Sequence, residues 1–183
     1  MSALKEHYIK TIAPVLKKEL GRSNTLAIPR INKIVLNVGL SKSLNDKKYI
    51  DFAVSTLTRI TGQKPILTKA KKSISNFKIR ENQVVGAVVT LRGARMYDFL
   101  EKLVKISFPR IRDFHGLDAS KGFDKNGNYA LGFREHIIFP EIGSDEIENI
   151  HGLEIAINTT ATNAAEARLL LTEFGFPFKK DTK

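Results

Sequence analysis

Between Val84 and Arg92 the side chains alternate without a break: Val85, Ala87, Val89 and Leu91 fall on one phase, and Val84, Gly86, Val88, Thr90 and Arg92 on the other. A period of two is the mark of a strand, because successive Cβ atoms leave opposite faces of a pleated backbone. The second phase ends in a hydroxyl and a guanidinium, so only one face of this strand suits a core. Residues Ile31 to Gly39 repeat the pattern, with Ile34, Leu36 and Val38 on one face and Lys33, Val35 and Asn37 on the other. Two strands with one apolar and one polar face imply an α+β two-layer sandwich. Its sheet is mostly antiparallel, with helices packed on one side and a polar face left open on the other.

Helical spacing supplies the covering layer. Leu4, Tyr8, Ile12, Val15, Leu16 and Leu20 recur on one stripe, which predicts a helix over 3–20 with Ser2 as N-cap and Gly21 as its end. Pro14 should kink or divide it, since proline lacks the N–H that a helix interior needs. After a loop containing Ser41, Ser43, Asn45 and Asp46, residues 47–61 predict a second helix with Ile50, Val54, Leu57 and Ile60 as its stripe, capped by Gly62. A third covers Ala94 to Phe108 through Tyr97, Leu100, Leu103, Val104 and Phe108, stopped by Pro109. Further on, Asp124-Lys125-Asn126-Gly127-Asn128 is a strong turn signal, Tyr129–Glu135 and Leu153–Thr160 read as strands, and Ala164–Phe174 as a last helix.

The 183 residues suit a single domain over 1–183 with a proper core, and the chain has no cysteine, which excludes disulfides, thiol catalysis and cysteine-ligated zinc. Nowhere do eighteen apolar residues run together, and no signal-peptide core precedes the first helix.

Charge is unevenly spread. Residues 52 to 97 hold nine Lys or Arg and one acid, Glu81, which is most of the net +11. Within that block, 61–80 carries six positive charges and none negative. Here a short strand near Pro65–Thr68 precedes a basic loop at about 69–80, and Phe77–Arg80 reads as extended. Such a run repels itself unless a polyanion lies against it, so the partner it suggests is nucleic acid. An anionic membrane would need a basic amphipathic helix, and Gly62 and Pro65 interrupt the segment instead. The open sheet face, with Lys33, Asn37, Thr90 and Arg92, presents amides, hydroxyls and a few cations. That composition suits RNA, whose wide minor groove offers 2′-hydroxyls and phosphates. A merely solvated face explains the same residues, and on the residues alone both readings stand. Residues 135–173 contain eight acids and one base, Arg168, which suits either a basic protein partner or a solvated surface.

Catalytic and metal sites are not called for, and neither is a cofactor. Asp124, Asn126, Asn128 and Glu135 fall at positions of a calcium-loop count, but Tyr129 stands where the loop needs glycine. His115, His136 and His151 are widely spaced, with no paired-ligand pattern on one helix. A nucleic-acid-modifying enzyme would require a convergent constellation, for which Asp113, His115 and Asp124 are the nearest candidates. A free-standing RNA-binding regulator would share the charge pattern.

From Thr61-Gly62-Gln63-Lys64-Pro65 through Thr68-Lys69-Ala70-Lys71-Lys72-Ser73-Ile74 the sequence closely resembles the bacterial-type large-subunit ribosomal protein five family, which attaches 5S ribosomal RNA to the large subunit. The likeness extends to Lys33-Ile34-Val35-Leu36-Asn37-Val38-Gly39, Val89-Thr90-Leu91-Arg92-Gly93, Phe108-Pro109-Arg110-Ile111-Arg112-Asp113-Phe114, Gly127-Asn128-Tyr129, Ile137-Ile138-Phe139-Pro140-Glu141 and Phe176-Pro177-Phe178. It runs in one order from about residue 5 to 180. Leu40-Ser41-Lys42, His115 and Lys121-Gly122 before Phe123 depart from the family's habit, all in loops.

The resemblance implies a non-enzymatic, cytoplasmic constituent of the large subunit's central protuberance. Asn37, Gln63 and Thr90 match the family's polar contacts to 5S rRNA, and Lys33, Lys64 and Arg92 are expected beside them. Lys69, Lys71, Lys72, Ser73, Asn76, Phe77, Lys78 and Arg80 match the loop that reaches the elbow of the P-site tRNA, with Phe77 stacking on a base or anchoring the loop. Large-subunit rRNA, neighbouring large-subunit proteins and a basic small-subunit head protein, met by the acidic C-terminal half, are the further partners implied. No membrane is among them.

Overall fold

The computed structural model describes residues 2–40, 46–112, 114–119, 121–143 and 150–179. Its strands are β1 (Ile31–Gly39), β2 (Ile66–Lys69), β3 (Val84–Leu91), β4 (Tyr129–Phe133) and β5 (Leu153–Thr159). They form one antiparallel sheet in the order β2-β3-β1-β5-β4, and with the helices make the α+β sandwich that the alternation of β1 and β3 demands. Ile34, Leu36, Val38, Ala87 and Leu91 are wholly buried, as their phase requires. Each large side chain among them contributes roughly 1.5–3 kcal/mol through burial. The loop residues Ser41, Ser43 and Asn45, with Lys42, Asp113 and the acids Asp145, Glu146 and Glu148, lie outside the described residues.

The chain groups into two compact units, one of Met1–Ile34, Leu91–Leu131 and Ala156–Lys183, the other of Val35–Thr90 and Gly132–Ile155. In the first, the N-terminal helical run is α1 (Ala3–His7), a widened turn at Tyr8–Ile12, and α2 (Ala13–Glu19). Pro14 divides the run as expected, and the means is visible: the Ala13 N–H reaches back five residues to the Tyr8 carbonyl. Widening one turn makes room for a ring that would otherwise strike the carbonyl four residues earlier. Ser2 occupies the N-cap position, but its hydroxyl makes no capping bond. Gly21, with φ +60°, ends the run.

The same device recurs ahead of Pro109. Helix α4 (Gly93–Lys102) passes into a widened turn at Leu103–Ser107, and Pro109 then sits in the first turn of a short 3₁₀ helix, Phe108–Arg110. Proline therefore opens a helical segment here instead of stopping one, which its missing N–H permits at a first turn. The inner face also takes in Met96, Phe99 and Ser107 beyond the expected stripe. Helix α5 (Ala164–Glu173) is capped by Asn163, whose Oδ1 accepts the Glu166 N–H at 2.9 Å.

The turn at 124–128 is held by one carboxylate. Asp124 Oδ1 accepts the Asn126 and Asn128 N–H groups at 2.9 and 2.7 Å, and Oδ2 accepts Asn128 Nδ2 at 2.7 Å. Those bonds, the Asn128 side chain's first, draw the Asp124 pKa below the ordinary carboxylate range. A lowered folded-state pKa means that this contribution to stability is complete above the unfolded value of about 3.9 and disappears as pH falls through the folded one. The melting-temperature gap between wild type and Asp124→Asn is therefore expected to be constant from neutral pH to about pH 5 and to close below about pH 4. A gap unchanged at pH 3 would refute the assignment.

In the second unit, α3 (Lys47–Thr61) begins at Asp46, whose Oδ1 accepts the Lys48 N–H, and ends at Gly62 with φ +66°. Its buried stripe is Ala53, Thr56, Leu57, Ile60 and Thr61, whereas the expected Ile50 and Val54 are only half-buried. Small residues at 53 and 56 allow a closer approach than hydropathy alone suggests. His136 and His151, far apart in sequence, stack at 4.1 Å with Phe52 edge-on to both. Burial, ahead of the neighbouring His136, pushes the His151 pKa down to about 4, so the ring is neutral.

Candidate nucleic-acid interface

The basic segment is a hairpin arm. β2 and β3 pair antiparallel, Ile66 opposite Val88 and Thr68 opposite Gly86, and a bulge at Thr68/Lys69 marks the root of the arm. Beyond it the Ala70 N–H donates to the Gln83 carbonyl at 2.8 Å, and Ile74 and Ile79 exchange both backbone bonds. The tip is a 3₁₀ turn, Ser75–Phe77, closed by Lys78 in the left-handed region at φ 54°. Phe77 is thus in the turn, not extended as the sequence suggested, because the Ile74–Ile79 pairing leaves only four residues to reverse the chain.

Lys69, Lys71, Lys72, Ser73, Asn76, Phe77, Lys78 and Arg80 are all exposed, Phe77 by 68%. None of the arm's five cations has a carboxylate partner among the described residues. Ser73 Oγ accepts the Glu81 N–H at 2.9 Å, which braces the two sides of the arm. Ser73, Ser75, Lys78, Ile79, Arg80 and Gln83 line an open concavity on it. A concave surface of hydroxyls and cations suits phosphate oxygens, and an exposed ring beside it suits a base.

The sheet face of the same unit has a different chemistry. Gln63 is placed by the end of α3: Thr61 Oγ1 donates to the Leu57 carbonyl at 2.7 Å and accepts the Gln63 N–H at 3.2 Å. The Gln63 side chain then donates to the Thr90 carbonyl at 3.4 Å, so these two predicted residues are brought together. Lys64 and the Thr90 side chain are exposed next to them in sequence and strand. Asn37, half-buried on β1, donates through Nδ2 to Glu154 Oε2 on β5 at 3.0 Å. Its Oδ1 points toward Gly86, where a Cβ would lie 2.8 Å from Thr68 Oγ1, 3.1 Å from the Val38 carbonyl oxygen and 3.8 Å from Asn37 Oδ1. Glycine at 86 therefore lets three polar groups close over the strand.

Lys33 and Arg92 fall in the other unit. Lys33 is half-buried on the polar phase of β1. Arg92 stands one residue beyond β3, at the N-cap position of α4, and its Nη1 donates to Asn32 Oδ1 at 3.4 Å. The strand ladder ends at Leu91, but the Arg92 backbone is still extended and its side chain is exposed, on the same phase as Thr90. Glu154, Thr68 and Gly86 escaped the sequence reading. Glu154 is the exposed position between buried Leu153 and Ile155, a signal that marks a surface residue, but only the β1–β5 register puts it against Asn37.

The acidic C-terminal region is partly used within the chain. Glu166 pairs with Arg22 at 2.5 Å and accepts from Thr162, and Glu154 is bonded to Asn37. Among the described residues no group of three or more His, Cys, Asp or Glu converges as metal ligands would, and no helix is long and apolar enough to cross a membrane.

Two family models match in tandem: one described as ribosomal protein L5 over residues 24–80, and one described as the C-terminus of the same ribosomal family over residues 84–178. The chain is 54% identical over 179 residues to the large ribosomal subunit protein uL5 of Acholeplasma laidlawii (strain PG-8A), covering 98% of this chain and 99% of that protein. The large ribosomal subunit protein uL5 of Francisella tularensis subsp. novicida (strain U112) is similar to the same degree and over the same shares.

Proposed function

The chain belongs to the ribosomal protein L5 family, and from that premise we propose that it holds 5S rRNA in the central protuberance of the large subunit and reaches P-site tRNA with its basic arm. The family is a structural ribosomal protein and not an enzyme. The chain is a component of the large ribosomal subunit, cytoplasmic in bacteria, whose partners include rRNA and neighbouring ribosomal proteins.

The observation that carries the finer reading is the split of polar chemistry in the second unit. Asn37, Gln63, Thr68 and Thr90 offer amides and hydroxyls on one surface, while the arm concentrates Lys69, Lys71, Lys72, Lys78 and Arg80, with no carboxylate partner among the described residues. Neutral donors and acceptors suit ribose and base edges of a folded RNA, and unpaired cations suit a backbone approached in passing. The eight acids of residues 135–173, against one base, support a contact with a basic protein of the small-subunit head.

Gel-shift titration tests the assignment. The protein is expected to bind 5S rRNA well ahead of an unrelated RNA of equal length, and equal affinity for the two would overturn it. In the same titration Lys71→Ala with Lys72→Ala should leave the preference for 5S rRNA intact while weakening tRNA binding. Because each lost phosphate contact lowers the salt slope by about one, the tRNA titration should also become less salt-dependent.

A further inference from the structure

A carboxylate on an RNA-binding surface should repel its ligand, yet Glu154 sits exposed on β5 against the one amide of β1 expected to touch RNA. Resting on the reading of this face as the 5S rRNA seat, we propose that Glu154 is a specificity-determining residue. It turns Asn37 so that its oxygen lies on the Gly86 side beside Thr68 Oγ1, and together they form an acceptor site for a hydrogen-bond donor of the RNA, either a ribose 2′-hydroxyl or a base amino group.

The number of free donors decides what this site can accept. Asn37 Nδ2 is committed to Glu154 Oε2 at 3.0 Å, which fixes the amide with Oδ1 on the Gly86 side. Thr68 Oγ1 borders the same spot, and Gly86 contributes no side chain to cover it. The local surface thus offers the Asn37 oxygen, the Glu154 carboxylate and a hydroxyl. Phosphate has no donor to meet them and is repelled by the carboxylate. A 2′-hydroxyl or an exocyclic amine has one, and a hydrogen bond to an ionised acceptor is among the stronger kinds. Glu154 therefore selects against a backbone-first approach while rewarding a donor edge.

The sign of the effect separates this from simple electrostatics. Removing a negative charge from an RNA-binding face should tighten every complex if charge alone matters. Instead Glu154→Gln is expected to weaken 5S rRNA binding about tenfold, the factor an ordinary charge-assisted hydrogen bond supplies, while unrelated RNA binds as well or better. Glutamine keeps the shape of the side chain, and position 154 is exposed, so the melting temperature should not move. Nucleotide-analogue interference identifies the donor. With pools of 5S rRNA carrying scattered 2′-deoxynucleotides or inosines, wild type should show an interference that Glu154→Gln lacks, in the first pool for a ribose and in the second for a guanine amine. A Gln variant that keeps its 5S affinity, or loses no interference, overturns the inference alone. A wild type without preference for 5S rRNA overturns the reading of the face as well.

Discussion

Asn37→Ala combined with Thr90→Ala should lower affinity for 5S rRNA by roughly 2 kcal/mol, about thirtyfold, while the melting temperature stays within a degree or two of wild type. Two neutral hydrogen bonds to RNA are worth about 1 kcal/mol each. The fold has little at stake at either position: Thr90 is exposed, and the Asn37–Glu154 bond lies at the surface. Substitutions of that kind usually change stability by no more than about 0.5 kcal/mol. Removing Asn37 also leaves the Glu154 carboxylate facing the RNA with no amide to hold it, which adds to the loss. The salt dependence of binding should not change, since no cation has been removed. Filter binding at several salt concentrations, with melting curves on the same samples, decides the matter. An unchanged affinity would remove the sheet face from the 5S rRNA site, and a flattened salt slope would mean that the face works through phosphates after all.

The largest stability effect is expected from Gly127→Val. Gly127 is buried at φ +75°, where a Cβ would stand 2.8 Å from the Asn163 carbonyl oxygen and 2.9 Å from the Ala161 Cβ. The left-handed region costs an L-residue about 1–2 kcal/mol, and a β-branched one more. Overpacking against backbone adds about 1–3 kcal/mol. The strand beside it cannot yield cheaply, because Thr159 Oγ1 donates to the Gly127 carbonyl at 2.7 Å and the Thr159 N–H to Asn128 Oδ1 at 3.2 Å. A loss of roughly 3 kcal/mol or more corresponds to a fall of about 6–12 °C in melting temperature for a chain of this length. Lys125→Ala, exposed in the same turn, is the control and should melt like wild type. If the valine variant did so too, the turn would be far more pliable than its hydrogen bonds imply.

Gly127 also shows how unevenly the chain discloses its structure. That Asp124-Lys125-Asn126-Gly127-Asn128 is a turn follows from residue types, since Asp and Asn bond to nearby backbone and Gly accepts a positive φ. That the turn is fastened to β5 does not follow, because Asn128 and Thr159 are thirty-one residues apart. The same holds for the histidines. His136 and His151 look isolated along the chain, and only folding stacks them at 4.1 Å. Pro14 and Pro109 were legible as breaks, but the widened turns that accommodate both depend on backbone geometry that no side-chain pattern encodes.

Local chemistry settled most of the elements. Alternation set β1 and β3, helical spacing set α3 and α5, with Gly62 closing the first, and the uncompensated cations of 61–80 set the kind of partner, because each is a property of neighbours along the chain. The tertiary structure alone decided how those elements meet. It made the basic segment a braced hairpin, took Arg92 off the strand and onto Asn32, and laid Glu154 against Asn37. Strand order and register are set by packing summed over the whole sheet, and a shift of one residue would exchange its two faces. For that reason the residues of the polar face could be named from their own sequence, and their partners could not.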